Sequence, residues 1–283
     1  MAKQLLGKEV TGALNERIKE RVAKLREKGI TPTLGIIRLG EDPSDISYEK
    51  GGTKRCESLG VVCEKFHLPA DVSQEELLAV IDKVNKDPNI HGVIMFRPLP
   101  KHLDQALIQN ALLPEKDIDC MTDLSMSGVF TDKAIGFPPC TPQACMEILD
   151  YYGIDCTGKK AVILGRSLVV GKPAAMMLLK KNATVTICHT RTKDAPSVAR
   201  EADIILAAIG HAGAVGAEYV REGQIVIDVG INVNAEGKLC GDVVYDEVEP
   251  IVSAITPVPG GVGSVTTSVL VSHVVEAAER RLK

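Results

Sequence analysis

Apolar residues along this chain keep two rhythms. From Glu9 to Lys28 they fall at Val10, Leu14, Ile18, Val22 and Leu25, flanked by charges and closed by Gly29. That is the period of an amphipathic helix. Short strand-like segments follow, largely apolar in "TLGIIRLG" (33–40) and "IHGVIMF" (90–96) and more mixed in "VVCEKFHL" (61–68). They predict strands. Between them lie two helical stretches. One is "PSDISYEKGGTKRCESLG" (43–60). The other, "SQEELLAVIDKVNKD" (73–87), opens on a Ser73/Glu76 capping box. Strand and helix alternating at this spacing predict βαβ units and a parallel sheet.

The rhythm lapses between roughly 114 and 142, a turn-rich and proline-rich segment where a domain crossing is expected. A helix, "PQACMEILDYYG" (142–153), comes next. Then "KAVILG" (160–165), "TVTIC" (184–188), "DIILAAIG" (203–210) and "QIVIDVG" (224–230) read as four strands, with helices predicted at 171–182, 194–202 and 216–222. This is the pattern of a Rossmann-like doubly wound parallel sheet. The closing amphipathic run "SVTTSVLVSHVVEAAERRLK" (264–283) is expected to return as a helix to the first domain. The reading is therefore α/β with two α/β domains. The first spans 1–138, completed by 267–283; the second is the Rossmann domain, 139–266.

Composition narrows the function classes. The 283 residues are 45% hydrophobic and 25% charged, with a net charge of −4. No basic excess points to nucleic acid. No run approaches the roughly 18 apolar residues of a membrane span, and "MAKQLLGKEVTG" carries no apolar signal core, so a cytoplasmic protein is expected. Eight cysteines without a C-x-x-C pair read as reduced thiols. Six scattered histidines make a protein-held metal an unexpected feature.

Chemistry enters with "AVILGRSLVVGKP", a strand, a loop and a helix start. Against the dinucleotide pattern G-x-G-x-x-G, it has Gly165, then Ser167 in place of the second glycine, and Gly171 one position late. The context still suits a pyrophosphate at a helix N-terminus. An NAD enzyme usually has an acid at the end of the second strand. Here that tip is His189, Thr190, Arg191, Thr192, with no acid. Arg166 and Arg191 instead offer guanidinium groups suited to the 2′-phosphate of NADP.

Taken together, "PSDISY", "KDID" (116–119), "GRSLVVGKP" (165–173), "TVTICHTRT" (184–192), "DVGIN" (228–232) and "TPVPGGVGSVT" (256–266) resemble the methylenetetrahydrofolate dehydrogenase/cyclohydrolase family over nearly the whole chain. The resemblance implies two domains facing a cleft, tetrahydrofolate one-carbon substrates, NADP, a homodimer, and a place in one-carbon metabolism feeding purine biosynthesis. It implies Tyr48 as the tyrosine stacked on folate and Asp119 as the carboxylate that binds the pterin. It implies Gly165, Arg166 and Ser167, with Gly171, Thr190 and Arg191, as the cofactor loop and its neighbours, and Ile231 as a backbone contact beside the cofactor. Pro259, Gly260 and Gly261 are implied as the turn that meets substrate.

The departures from that family bear on which reaction is kept. Its helix reads Tyr-x-x-x-Lys; here the lysine position is Gly52. Its glutamine on the neighbouring strand is Phe96, followed by Arg97, and the glycine after "KDVD" is Cys120. Lys50 and Lys54 stand about 200° around the helix from Gly52, on the opposite face. Hydride transfer needs positioning, whereas water addition and ring opening need proton movement. The expectation is a dehydrogenase with weak or absent cyclohydrolase. The alternatives are a bifunctional enzyme using substitutes such as Lys54 or Arg97, and a non-catalytic folate- or NADP-binding protein.

Overall fold

The computed structural model describes residues 1–282. They form two compact units: Met1–Gly12 with Thr141–Thr266, and Ala13–Cys140 with the residues from Thr267 onward. The chain opens on a two-residue strand, β1 (Lys3–Gln4), and the helix α1 (Gly7–Glu27), whose apolar stripe is the one predicted.

The second unit continues with β2 (Thr33–Leu39), α2 (Pro43–Ser58), β3 (Val62–Leu68), α3 (Gln74–Lys86) and β4 (Gly92–Met95). Its three strands are parallel in the order β3-β2-β4, with Leu34 opposite both Cys63 and Gly92. Pro43 and an Asp42 cap, whose carboxylate accepts the Ser44 N–H at 2.8 Å, start α2. The Ser73/Glu76 capping box starts α3 as the sequence predicts. Ile37, Leu77, Ile81, Val84 and Ile90 make the core under this sheet.

Two short helices follow, α4 (Gln105–Ala111) and α5 (Asp123–Thr131). The second lies inside the segment read as turns. Thr122 caps it, and Gly128 lets it pack closely: a Cβ there would stand 2.3 Å from the Ile135 carbonyl oxygen.

The other unit carries α6 (Cys140–Tyr151), β5 (Lys160–Leu164), α7 (Gly171–Lys180), β6 (Thr184–Cys188), α8 (Ala195–Arg200), β7 (Ile204–Ala207), β8 (Ile225–Asp228), the hairpin β9 (Asn232–Val233) and β10 (Leu239–Cys240), α9 (Tyr245–Val248) and β11 (Ala254–Ile255). Its sheet is six-stranded and parallel, in the order β1-β11-β8-β7-β5-β6. The order reverses at β5, with β6 on one side and β7 and β8 on the other. Crevices at such a reversal take ligands. The last helix, α10 (Val262–Arg280), ends the fold. In the second unit it is tied to α1 by Arg21, which bonds the Glu279 carboxylate at 2.8 Å and the Ser272 hydroxyl at 3.0 Å.

Two expectations need correction. The helix predicted at 216–222 is a single 3-10 turn, Ala217–Tyr219. Gly216 and Gly223 bracket too few residues to nucleate an α-helix. The N-terminal strand is not part of the three-stranded sheet: β1 pairs with β11 and completes the six-stranded sheet, and residues 1–12 group with that unit.

Candidate active site

In the three-stranded unit, α2 carries Tyr48 to the surface, 39% exposed. Phe96, just past β4, meets it edge to face, with ring centroids 5.8 Å apart. Asp119 arrives on a tightly held segment. The buried Lys116 amine donates to the Val84 carbonyl and to that of Asp87 at 2.7 Å. The Asp117 carboxylate accepts the Met121 and Thr122 N–H groups, each at 2.8 Å.

Asp119 itself accepts the Cys140 backbone N–H at 2.8 Å. Its partial burial holds its pKa above the ordinary carboxylate value, against the pull of the Cys140 bonds and the Arg97 charge. The Tyr48 phenol is also held above its ordinary value, by burial first and then by Cys140 and Asp119. Tyr48, Phe96, Asp119 and Arg97 thus share one neighbourhood. Tyr48 is a neutral ring and hydroxyl there, and Asp119 a carboxyl that takes a proton more readily than an exposed one.

Gly52 is buried, yet a Cβ built on it would meet nothing within 4 Å. Lys50 and Lys54 are exposed. The ring contact of Phe96 is a role the sequence did not disclose, since Tyr48 and Phe96 are distant in the chain.

In the six-stranded unit, a cavity of about 360 Å³ opens at the ends of β5 and β6, lined by Gly165, Arg166, Ser167, His189, Thr190 and Tyr219 among others. None of its lining residues is acidic. Gly165 has φ 126°, and a Cβ there would stand 2.1 Å from the Ala208 carbonyl oxygen. Only glycine fits this crossing point of loop and strand. Ser167 accepts the Val170 N–H at 3.1 Å, capping the approach to α7. Gly171 sits behind the loop, its own Cβ position 2.3 Å from the Gly165 carbonyl oxygen. Arg191 stands exposed just past the lining wall, with its N–H on His189 Nδ1 at 3.1 Å. His189 and Tyr219 were not singled out from sequence as lining residues. His189 at a strand tip was the readable signal; Tyr219 comes from the 3-10 turn mistaken for a helix.

The same unit holds a second cavity of about 300 Å³, lined by Asp228, Ile231 and the turn Pro257–Ser264, which includes Pro259, Gly260 and Gly261. Gly260 has φ 105° and its carbonyl accepts the Gly7 N–H at 2.8 Å. Ile231 is 67% exposed at the rim. Asp228, the first residue of "DVGIN", carries no role in the sequence reading, although an acid ending an apolar strand is a signal. It is buried, accepts N–H groups from Gly230, Asp242 and Val243 at 2.9–3.0 Å, and its pKa is pushed up to about 6 by burial.

Residues 5–119 match the tetrahydrofolate dehydrogenase/cyclohydrolase catalytic domain, and 139–282 match the NAD(P)-binding domain of the same family. The chain is 56% identical to the bifunctional protein FolD of Carboxydothermus hydrogenoformans over 99% of its length and 98% of the relative. Among solved structures it is similar to the bifunctional FolD of Campylobacter jejuni, with TM-score 0.96 and 40% identity over 99% and 100% of the two chains. It is also similar to the Trypanosoma brucei methylenetetrahydrofolate dehydrogenase-cyclohydrolase complexed with NADP and an inhibitor, with TM-score 0.92 and 33% identity over 100% and 99%. The two matched domains span most of the described residues in the order the motifs predict, and the chain belongs to the tetrahydrofolate dehydrogenase/cyclohydrolase family.

Proposed function

We propose that this chain oxidises 5,10-methylenetetrahydrofolate to the 5,10-methenyl compound with NADP, and that its cyclohydrolase activity is weak or absent. The observation that carries the second half is the surroundings of Tyr48. The Cβ position of Gly52 is open, and Phe96 presents a hydrocarbon ring where proton exchange would be needed. A glycine and a phenylalanine can shape a surface but cannot move a proton.

In this reading Tyr48 supports the folate ring and Asp119 accepts its amino-pyrimidine edge, with one carboxylate oxygen already fixed by Cys140. Gly165, Arg166 and Ser167 hold the nucleotide, with Thr190 and Arg191 beside them and Gly171 behind, and Ile231 borders its far end. The absence of an acid around the cavity, together with the two arginines, favours NADP over NAD. Bound there, the nicotinamide supplies the hydride acceptor. Pro259, Gly260 and Gly261 bring backbone close to the substrate. A cytoplasmic homodimer completes the proposal.

A bifunctional enzyme is the second reading, favoured by the name of the 56%-identical relative. One experiment separates the two. Purified protein given methylenetetrahydrofolate and NADP should form NADPH and accumulate the methenyl product at a rate of decay close to that in buffer alone. Methenyl loss about a hundredfold or more above buffer, the scale of general acid–base assistance, would establish the bifunctional reading instead.

A further inference from the structure

Helix α2 is fixed to its sheet by charge. Its buried residues are Glu49, Gly52 and Cys56. They have the i, i+3, i+7 spacing at which an amphipathic helix ordinarily carries large apolar side chains. None is large and apolar, and one is a carboxylate.

Glu49 is 7% exposed. Its Oε2 accepts the Arg38 Nε–H at 2.8 Å, Lys65 Nζ lies 3.0 Å from Oε1, and His67 Nε2 lies 3.0 Å from Oε2. Arg38 is itself 5% exposed, and it also pairs with Glu41 at 3.2 Å and donates to the Gly40 carbonyl. Arg38 on β2 and His67 on β3 are register partners, and Lys65 is two residues from His67 on the same face. The sheet therefore presents a plate of three basic side chains, and α2 inserts one carboxylate into it.

A buried ion pair fixes geometry because moving either partner strands the other charge. Glu49 directly follows Tyr48. The two residues after Lys50 are Gly51 and Gly52, and neither has an atom within 4 Å of its Cβ position. Glycine stiffens a helix poorly, so beyond the edge-to-face contact of Tyr48 with Phe96 the two glycines add neither propensity nor side-chain packing to hold this turn at its orientation.

We propose that Glu49 is a positioning residue: by locking into Arg38, Lys65 and His67 it sets the angle at which Tyr48 meets the folate substrate, so that folate binding, and neither cofactor binding nor the hydride step, depends on it. This rests on the assignment of Tyr48 to the folate ring.

The test is steady-state dehydrogenase kinetics of the full chain, varying methylenetetrahydrofolate and NADP in turn, for wild type, Tyr48→Ala, Glu49→Gln and Lys65→Met. Glu49→Gln should raise the folate KM about tenfold, well below the roughly hundredfold loss an ångström of misplacement can cause. Its kcat and NADP KM should stay within about twofold of wild type. Lys65→Met should show the same split, more weakly. If Glu49→Gln does not fold, Lys65→Met decides, because that side chain is 38% exposed and its loss is tolerable. A raised folate KM at unchanged kcat supports the proposal; an unchanged one overturns it. If Tyr48→Ala raises the folate KM and Glu49→Gln does not, Glu49 has no positioning role and the Tyr48 assignment stands. If kcat and both KM values deteriorate together in Glu49→Gln, its role is merely structural and the proposal fails. If Tyr48→Ala leaves the folate KM unchanged, the Tyr48 assignment and the proposal fall together.

Discussion

At the scale of single residues, Gly52 and Phe96 are the pair proposed to separate the two reactions, and both can be exchanged. A Cβ built on Gly52 meets nothing within 4 Å, so the first carbon of a lysine side chain fits there. Gly52→Lys with Phe96→Gln should raise methenyl hydrolysis at least about tenfold, within the range of general acid–base assistance, while NADPH formation persists. A stopped-flow record of methenyl decay checks it, and no gain would count against the proposed role of this pair. The cofactor loop offers a second exchange. Arg166→Ala and Arg191→Ala should each raise the KM for NADP about tenfold, the loss of one charge-assisted bond, and leave any use of NAD unchanged. Part of this geometry was legible in the chain. The loop Gly165, Arg166 and Ser167, which lines a cavity, is readable because strand, loop and helix start are contiguous there. The Tyr48–Phe96 contact was not, because it exists only once α2 and β4 are laid on the same sheet.

At the scale of elements, α2 is weaker than its length suggests. Gly52→Ala adds a methyl group to open space and removes a poor helix former. It should stabilise the protein by about 1 kcal/mol and raise Tm by about 2–4 °C, measurable by thermal denaturation. A fall in Tm would mean the space over Gly52 cannot be filled.

Lys116 fixes the segment that ends in Asp119, and its titration has a readable sign. Burial, and then the Arg281 charge, lowers its pKa from 10.5 to about 8. Between those values the unfolded chain holds more protons than the folded one. The contribution of this group to stability is therefore complete above pH 10.5 and lost as pH falls through about 8. A neutral amine still has two N–H groups for the Val84 and Asp87 carbonyls. Lys116→Met should thus cost more at pH 10 than at pH 7.5, by on the order of 1–3 kcal/mol, as read by urea unfolding at each pH.

Element type followed the apolar rhythm closely. It failed where local chemistry was ambiguous. The 216–222 stretch has helix-forming residues but glycine at both ends, and α5 hides among turn-forming residues that serve here as its cap and its close packing point.

At the scale of the molecule, the six-stranded sheet depends on residues far from its other strands. Lys3 donates to the Ser253 carbonyl, Leu5 to that of Ile255 and Gly7 to that of Gly260, each at 2.8 Å. Leu5 is fully buried. A fragment of residues 141–266 should therefore be unstable, and a peptide of residues 1–12 added to it should raise its melting temperature. Equal melting with and without the peptide would show that β1 is dispensable. Nothing in a two-residue strand announces its partner, which is why the pairing of β1 with β11 is not legible in the sequence. The Rossmann core was legible because its strands are consecutive apolar runs.

The pairing of β1 with β11 joins positions about 250 residues apart, and the helix that completes the other unit comes later still. On a ribosome adding about 5–20 residues per second, β1 waits some 12–50 s for its neighbour. Neither unit can close until residues beyond about 250 have been made. Until then the newborn chain carries Leu5 and the stripe of α1 uncovered, the interval in which chaperone capture competes with folding.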